Sequence, residues 1–187
     1  FCPVPEAEPY REEIEKRIVK PVLAAMREEG CPFQGVLYCG LMITAQGPRV
    51  IEFNCRFGDP ETQALLPLLR TDLVDVCRAI LDNELKSLSL EWNDQSTVCV
   101  VLASQGYPGA YQSGYPVNIA RQDIPVCFSG VDLLDGMITS KGGRVLSVIG
   151  TGNTLSEARA VAYTAADAIA FEGKTLRRDI GLRANKL

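Results

Sequence analysis

Arg49-Val50-Ile51-Glu52-Phe53-Asn54-Cys55-Arg56-Phe57-Gly58-Asp59-Pro60-Glu61-Thr62-Gln63 sets out a carboxylate, an amide, a guanidinium, a glycine and two further carboxylates in one short stretch. Val50 to Asn54 alternates, so the strand period of two puts Glu52 and Asn54 on one face and Ile51 and Phe53 on the other. Two oxygen-bearing side chains side by side, with an arginine two residues on, suit a hard cation and phosphate oxygens. E-x-N alone is a weak motif, because polar residues on a half-exposed strand are common. Arg56, Gly58, Asp59 and Glu61 strengthen it. Arginine can clamp phosphate or carboxylate oxygens in pairs, Gly58 admits close backbone approach, and a helix opening at Pro60 would turn its N-terminus toward an anion. Asp59 is a candidate N-cap for that helix, with Pro60 at its first position and Glu61 in its first turn.

Working outward, Gly35 to Thr44 is a continuous apolar run, followed by Ala45-Gln46-Gly47-Pro48 as a turn and Arg49–Asn54 as a strand. Together they predict an antiparallel hairpin, a stiff mount for metal ligands, with Arg49 shielding its edge. The segment from Pro9 to Glu29 predicts a helix ended by Gly30, with a kink at Pro21. After Glu61 comes a helix with Ala64, Leu65, Leu68 and Leu69 on its apolar face, cut short by Pro67. A second helix starts at Thr71-Asp72 and carries Leu73, Val76, Cys77, Ile80 and Leu81. The looser, polar Asn83–Asp94 marks a boundary between a domain of residues 1–94 and one of residues 95–187. In the latter, Thr97–Ala103 is a strongly apolar strand ended by the Gly106-Tyr107-Pro108-Gly109 turn. Short strands are expected near 117–119, 125–128, 137–139 and 144–150, with Gly142-Gly143 as a hairpin turn. Glu157–Phe171 predicts a helix capped by Thr154 with Glu157 as capping-box partner. Lys174–Asp179 predicts a last strand, and Arg177-Arg178 a solvated face. The fold class is α+β: an antiparallel hairpin-based sheet with helices, then a small mixed domain.

The bulk numbers exclude several functions. The chain has 187 residues, is 47% hydrophobic and 22% charged, and carries a net charge of −4 without a basic block, which argues against nucleic acid as the main partner. No apolar run reaches membrane-spanning length. There is no histidine, so His triads and His metal sites are excluded, and any metal takes oxygen ligands, favouring magnesium or manganese over zinc. The seven cysteines are scattered, with no C-x-x-C pair, which points to a reducing cytoplasm. Phe1-Cys2-Pro3-Val4-Pro5 opens without Met in a loop-like stretch, which predicts a longer polypeptide.

Ile51–Gln63 resembles the signature of the phosphoribosylamine–glycine ligases (glycinamide ribonucleotide synthetases), ATP-grasp enzymes of purine biosynthesis. Tyr38-Cys39-Gly40-Leu41-Met42, Leu66-Pro67-Leu68-Leu69 with Asp72-Leu73, Ala103-Ser104 with Gly106-Tyr107-Pro108-Gly109, Gly142-Gly143-Arg144-Val145-Leu146 and Asp179-Ile180-Gly181 fall in the family's order. R-F-G-D-P-E is specific to this ligase, whereas E-x-N is shared across the ATP-grasp superfamily. The resemblance implies the last part of an ATP-grasp domain followed by the ligase's carboxy-terminal domain. It implies a reaction in which ATP phosphorylates glycine and the amine of 5-phosphoribosylamine attacks the glycyl phosphate. In that reaction Glu52 and Asn54 would hold Mg2+ or Mn2+ against ATP phosphates and Arg56 would be catalytic, stabilising the transferring phosphate. Gly58, Asp59, Pro60 and Glu61 would face glycine and phosphoribosylamine.

Two departures from the pattern stand out. Leu41 occupies the position where the superfamily often has a third metal carboxylate, so phosphate or water would fill more of the coordination shell. Phe128-Ser129-Gly130 replaces a His-Ala-Gly frequent in the family. The family's amino-terminal domain, glycine-rich loops, and lysine- and adenine-binding segments precede the part matched here. The resemblance therefore implies that this chain needs that missing N-terminal half and is inactive by itself. A non-catalytic ATP-grasp fragment, acting as a binding or assembly module, is the alternative. A different ATP-grasp carboxylate–amine ligase would lack R-F-G-D-P-E.

Overall fold

The structure, a computed structural model, describes residues 1–120, 123 and 125–182. It divides into two compact units: Val4–Asp59 with Leu69–Trp92, and Phe1–Pro3 with Pro60–Leu68 and Asn93–Leu187.

The first unit opens with a 3-10 turn at Pro5–Tyr10, α1 (Arg11–Ile14), a π-helical turn at Glu15–Val19 and α2 (Lys20–Glu28). Helical structure thus starts before Pro9 and runs through Pro21. Proline has no N–H to give to the carbonyl four residues back, and its ring would press on that carbonyl. The wider turn just before it relieves both problems within the helix. Gly30, at φ +77°, ends α2 in a Schellman motif: its N–H bonds Arg27 O at 3.1 Å and that of Cys31 bonds Met26 O at 3.0 Å.

The hairpin follows as β1 (Tyr38–Thr44) and β2 (Gly47–Asn54), antiparallel, with Thr44 opposite Gly47. The turn is shorter than expected, only Ala45-Gln46. Thr44 Oγ1 donates to Gly47 O and accepts from Gln46 N, closing the turn and drawing Gly47-Pro48 into the strand. Register shifts between Gly40 and Leu41, where β2 carries one extra residue, Ile51. This bulge interrupts simple alternation before Glu52.

The chain enters the second unit at Pro60 for α3 (Glu61–Leu65) and returns for α4 (Leu73–Leu81). Asp72 caps α4, its side chain accepting from Val74 N at 2.7 Å. Leu73, Val76 and Ile80 lie on its half-buried side, whereas Cys77 and Leu81 are exposed. At 100° per residue those two lie along the edge of the apolar stripe rather than at its centre.

The second unit is built on a four-stranded antiparallel sheet in the order β10 (Lys174–Thr175), β3 (Ser96–Ser104), β8 (Arg144–Gly152), β5 (Val126–Phe128). Beside it β4 (Asn118–Ile119) pairs with β9 (Ile169–Ala170), and β6 (Val131–Leu134) pairs with β7 (Met137–Ser140). Strand β6 was not anticipated. Its signal was Asp135-Gly136, both at positive φ, which is the two-residue turn that suits a hairpin. Gly142-Gly143 is no hairpin turn, because β7 and β8 pair with different partners. It is instead a close-packing site: a methyl on Gly143 would collide with the Tyr107 ring.

Helix α5 (Leu155–Asp167) covers β8 and β3. Thr154 Oγ1 accepts from Glu157 N at 3.2 Å, and Glu157 returns a bond to Asn153 N at 2.9 Å. The helix stops short of Phe171 because Ile169-Ala170 leaves to pair with β4. Val98, Val100, Leu102, Leu146, Val148, Ala158, Ala162 and Ala166 are all essentially solvent-free. Arg177 and Arg178 are not merely solvated: Arg177 pairs with Asp179, and Arg178 donates to Asp167 at 2.8 Å, holding that carboxyl below its ordinary range. Only Lys174-Thr175 of the expected last strand pairs with the sheet.

Gly150 faces α5, and a methyl there would collide with the carbonyl oxygen of Ala158 and the backbone nitrogen of Ala162. Backbone atoms cannot swing aside, so Gly150→Ala is expected to destabilise this unit by at least ~1–3 kcal/mol. A lowered midpoint in thermal or urea unfolding followed by circular dichroism checks this; an unchanged midpoint would refute the packing described.

Candidate functional site

Glu52 and Asn54 sit two residues apart on β2, and their side chains share a face: Asn54 Nδ2 donates to Glu52 Oε1 at 3.0 Å. That bond orients the amide and leaves Oδ1 of Asn54 and Oε2 of Glu52 as oxygen donors. Across the ladder Glu52 is opposite Gly40 and Asn54 opposite Tyr38. A Cβ on Gly40 would lie 2.9 Å from Glu52 Cγ, so the absent side chain makes room for the glutamate's stem. Gly40 is the position that motif reading passed over. The signal was a glycine inside an apolar strand, which marks a close approach.

Arg56 follows the strand, exposed, with Nη1 donating to Phe57 O at 2.9 Å. The rest of its fork of donors remains for an anion. Gly58 is half-buried and Asp59 exposed, and both belong with Glu52, Asn54 and Arg56 to the first unit. Pro60 and Glu61 belong to the second unit and are joined to the others through the chain.

Two expectations about this turn are corrected. Asp59 does not hold the N-cap position of α3: Pro60 does, at φ −102°, ψ 23°, and it makes no side-chain cap bond. Pro60 therefore precedes the first helical residue rather than occupying it. With only five residues, α3 sums too few peptide dipoles to form an N-terminal anion site. Glu61 does stand in its first turn, and Glu61 Oε2 is buried without a hydrogen-bond partner. A buried carboxylate oxygen lacking a donor is costly unless a ligand or further chain supplies one.

No group of three or more His, Cys, Asp or Glu side chains able to hold a metal occurs among the described residues. Glu52 and Asn54 offer two hard oxygen donors on a rigid strand. That set fits a divalent cation whose remaining ligands are phosphate oxygens and water, the way Mg2+ is commonly held. Leu41 is a half-buried apolar neighbour and adds no donor. All seven cysteines are free thiols, and burial pushes the Cys39 thiol up, keeping it protonated. No helix among the described residues is long and apolar enough to cross a membrane.

Residues 1–62 match the family described as phosphoribosylglycinamide synthetase, ATP-grasp (A) domain, and residues 97–183 match phosphoribosylglycinamide synthetase, C domain. A phosphoribosylamine–glycine ligase from Caldanaerobacter subterraneus subsp. tengcongensis is 47% identical over 90% of this chain and 41% of its own length. The trifunctional purine biosynthetic protein adenosine-3 of Gallus gallus is 43% identical over 91% of this chain and 18% of its own length. The crystal structure of a phosphoribosylamine–glycine ligase from Thermotoga maritima superposes with a TM-score of 0.70 at 37% identity, covering 83% of this chain and 39% of that one. A urea carboxylase from Kluyveromyces lactis, at 14% identity and a TM-score of 0.59, shares the fold alone. The chain thus spans about two fifths of the length of the single-function ligases it matches.

Gly40→Ala is expected to leave the hairpin paired while displacing the Glu52 side chain and breaking its bond to Asn54. A changed Asn54 side-chain amide resonance in 15N-correlated NMR, with strand amides otherwise in place, is the expected result. An unmoved Asn54 resonance would show that Gly40 does not position the carboxylate.

Proposed function

Because the chain belongs to the phosphoribosylglycinamide synthetase family, we propose that it supplies the metal- and phosphate-handling part of an ATP-dependent ligase. The reaction joins glycine to 5-phosphoribosylamine. The γ-phosphoryl group of ATP passes to the glycine carboxylate, giving glycyl phosphate and ADP. The amine of phosphoribosylamine then attacks the acyl carbon, phosphate leaves, and glycinamide ribonucleotide forms. We take residues 1–94 as the end of the grasp domain, residues 95–187 as the carboxy-terminal domain, and the cytoplasm as the compartment.

The observation that carries this reading is the pair on β2: a glutamate and an asparagine on one face, oriented by their own hydrogen bond and mounted on a paired strand. Glu52 Oε2 and Asn54 Oδ1 would hold the cation, Mg2+ or Mn2+. When bound, a divalent cation would neutralise charge that develops during phosphoryl transfer. Arg56 presents its planar fork to the transferring phosphoryl group or to the acyl phosphate, where charge-assisted hydrogen bonds strengthen as charge builds. Gly58 and Asp59, and in the second unit Pro60 and Glu61, are the residues we assign to glycine and phosphoribosylamine. There the buried, unpartnered oxygen of Glu61 suits a substrate ammonium or amine. Water exclusion and the adenine pocket depend on the portion of the relatives that this chain does not span.

Glu52→Ala in the full-length enzyme is expected to lower kcat/KM by more than ~100-fold, the scale seen when one transition-state charge partner is removed. Its thermal midpoint should stay put, since Glu52 is exposed. Full turnover in that variant would instead favour the assembly-module reading. Arg56→Lys keeps the charge and loses the fork, so a fall in kcat at little-changed KM for ATP is expected.

The 187-residue chain alone should form no glycinamide ribonucleotide from ATP, glycine and phosphoribosylamine. Product in that assay would overturn the division of labour proposed.

A further inference from the structure

A cavity of about 440 Å3 opens in the second unit, lined by Gln105, Tyr111, Gln112, Tyr115, Glu172 and Gly173 among others. Its size lies within the range of small-molecule sites, roughly 300–1,000 Å3. Its walls are fixed from several directions. Tyr111 meets Tyr107 edge-to-face, with centroids 6.4 Å apart and planes at 61°, and both rings crowd the side-chain-free Gly143. Tyr115 is tied to β7 through its N–H to Ser140 Oγ at 3.1 Å and its carbonyl to Ser140 N at 2.8 Å. The Gln105 N–H bonds Gly173 O at 2.7 Å, anchoring the floor.

The chemistry of the lining is selective. The Tyr115 hydroxyl donates to Gln112 Oε1 at 2.6 Å, which leaves the Gln112 amide nitrogen to donate elsewhere. Tyr111 offers an exposed aromatic face, and Glu172 an exposed carboxylate able to accept two hydroxyl hydrogens. Among the described residues that line the cavity there is no lysine or arginine. The neighbouring Lys174 is turned away, its ammonium bonded to Ala166 O at 3.0 Å and to Ile169 O. Among those lining residues a phosphate would meet a carboxylate and no cation. An aromatic platform, an amide donor and a diol-accepting carboxylate without a counter-charge match a flat base on an unphosphorylated ribose.

We propose that this cavity binds an uncharged nucleoside, with the base stacked on Tyr111, a base acceptor on the Gln112 amide and the ribose diol on Glu172. The proposal does not rest on the ligase reading.

Adenosine and adenosine monophosphate serve as probes, titrated into the 187-residue chain and followed by calorimetry and saturation-transfer NMR. Saturable adenosine binding is expected, with the monophosphate at least tenfold weaker. Tyr111→Ala should weaken adenosine at least tenfold, while Glu172→Gln should bring the monophosphate close to adenosine. Glu52→Ala should change neither. Thermal midpoints of the two cavity variants near the parent's would confirm that they fold, as expected for exposed positions. The proposal fails if adenosine does not saturate or if the monophosphate binds as tightly to the parent chain. It also fails if binding survives both cavity substitutions, or if it disappears with Glu52→Ala.

Discussion

Close approach of α5 to β8 is the constraint on which the second unit rests. Gly150 and Gly152 present bare backbone to the helix, and the helix answers with small residues: Ala158, Ala162, Ala165 and Ala166. Only with side chains absent on one side and minimal on the other can the layers come so near. The same approach seals Val98, Val100, Leu102, Leu146 and Val148 away from water. Lys174, Arg177 and Ile180, C-terminal to it, then use α5 as an anchor. The Tyr163 hydroxyl donates to Arg177 O at 2.7 Å, Arg159 lies 4.4 Å over the Tyr163 ring and bonds Ile180 O at 3.0 Å, and Lys174 closes the last turn of the helix.

Much of this was legible in the residue order, for identifiable reasons. The β1–β2 hairpin, the strand through Thr97–Ala103, the helix start at Thr71-Asp72, the Thr154 cap and the Gly30 stop rest on local rules, and each appeared close to where those rules put it. The elements misjudged depend on partners distant in sequence. Gly142-Gly143 reads as a turn until the Tyr107 ring is seen against it. Phe171 reads as helix until Ile169-Ala170 is claimed by β4. Strand β6 was within reach, since Asp135-Gly136 carried its own signal.

The candidate site divides along the same line. Chemistry was readable from residue type, since Glu52, Asn54 and Arg56 announce oxygen donors and a phosphate fork. Geometry was not, because it resides on the opposite strand. Gly40 admits the glutamate stem, and an extra residue at Ile51 shifts the register just ahead of Glu52. At Asp59-Pro60 the proline that reads as the first helical residue sits one place early, at the cap position assigned to the aspartate. Residue lists and strand register are complementary, and only the second says which oxygen can reach a common point.

The pairing of β3 with β8 also bears on how the polypeptide leaves the ribosome. Ser96 pairs with Gly152 and Leu102 with Leu146, so a strand buried on nearly every side emerges long before its principal neighbour is made. At ~5–20 residues per second the wait lasts on the order of a few seconds. Throughout it, Thr-Val-Cys-Val-Val-Leu-Ala stands as an uncharged, β-branched segment with no partner, the composition most prone to misassociate with other chains. A long-range antiparallel ladder that makes the finished unit firm thus leaves the nascent segment exposed until β8 has been made.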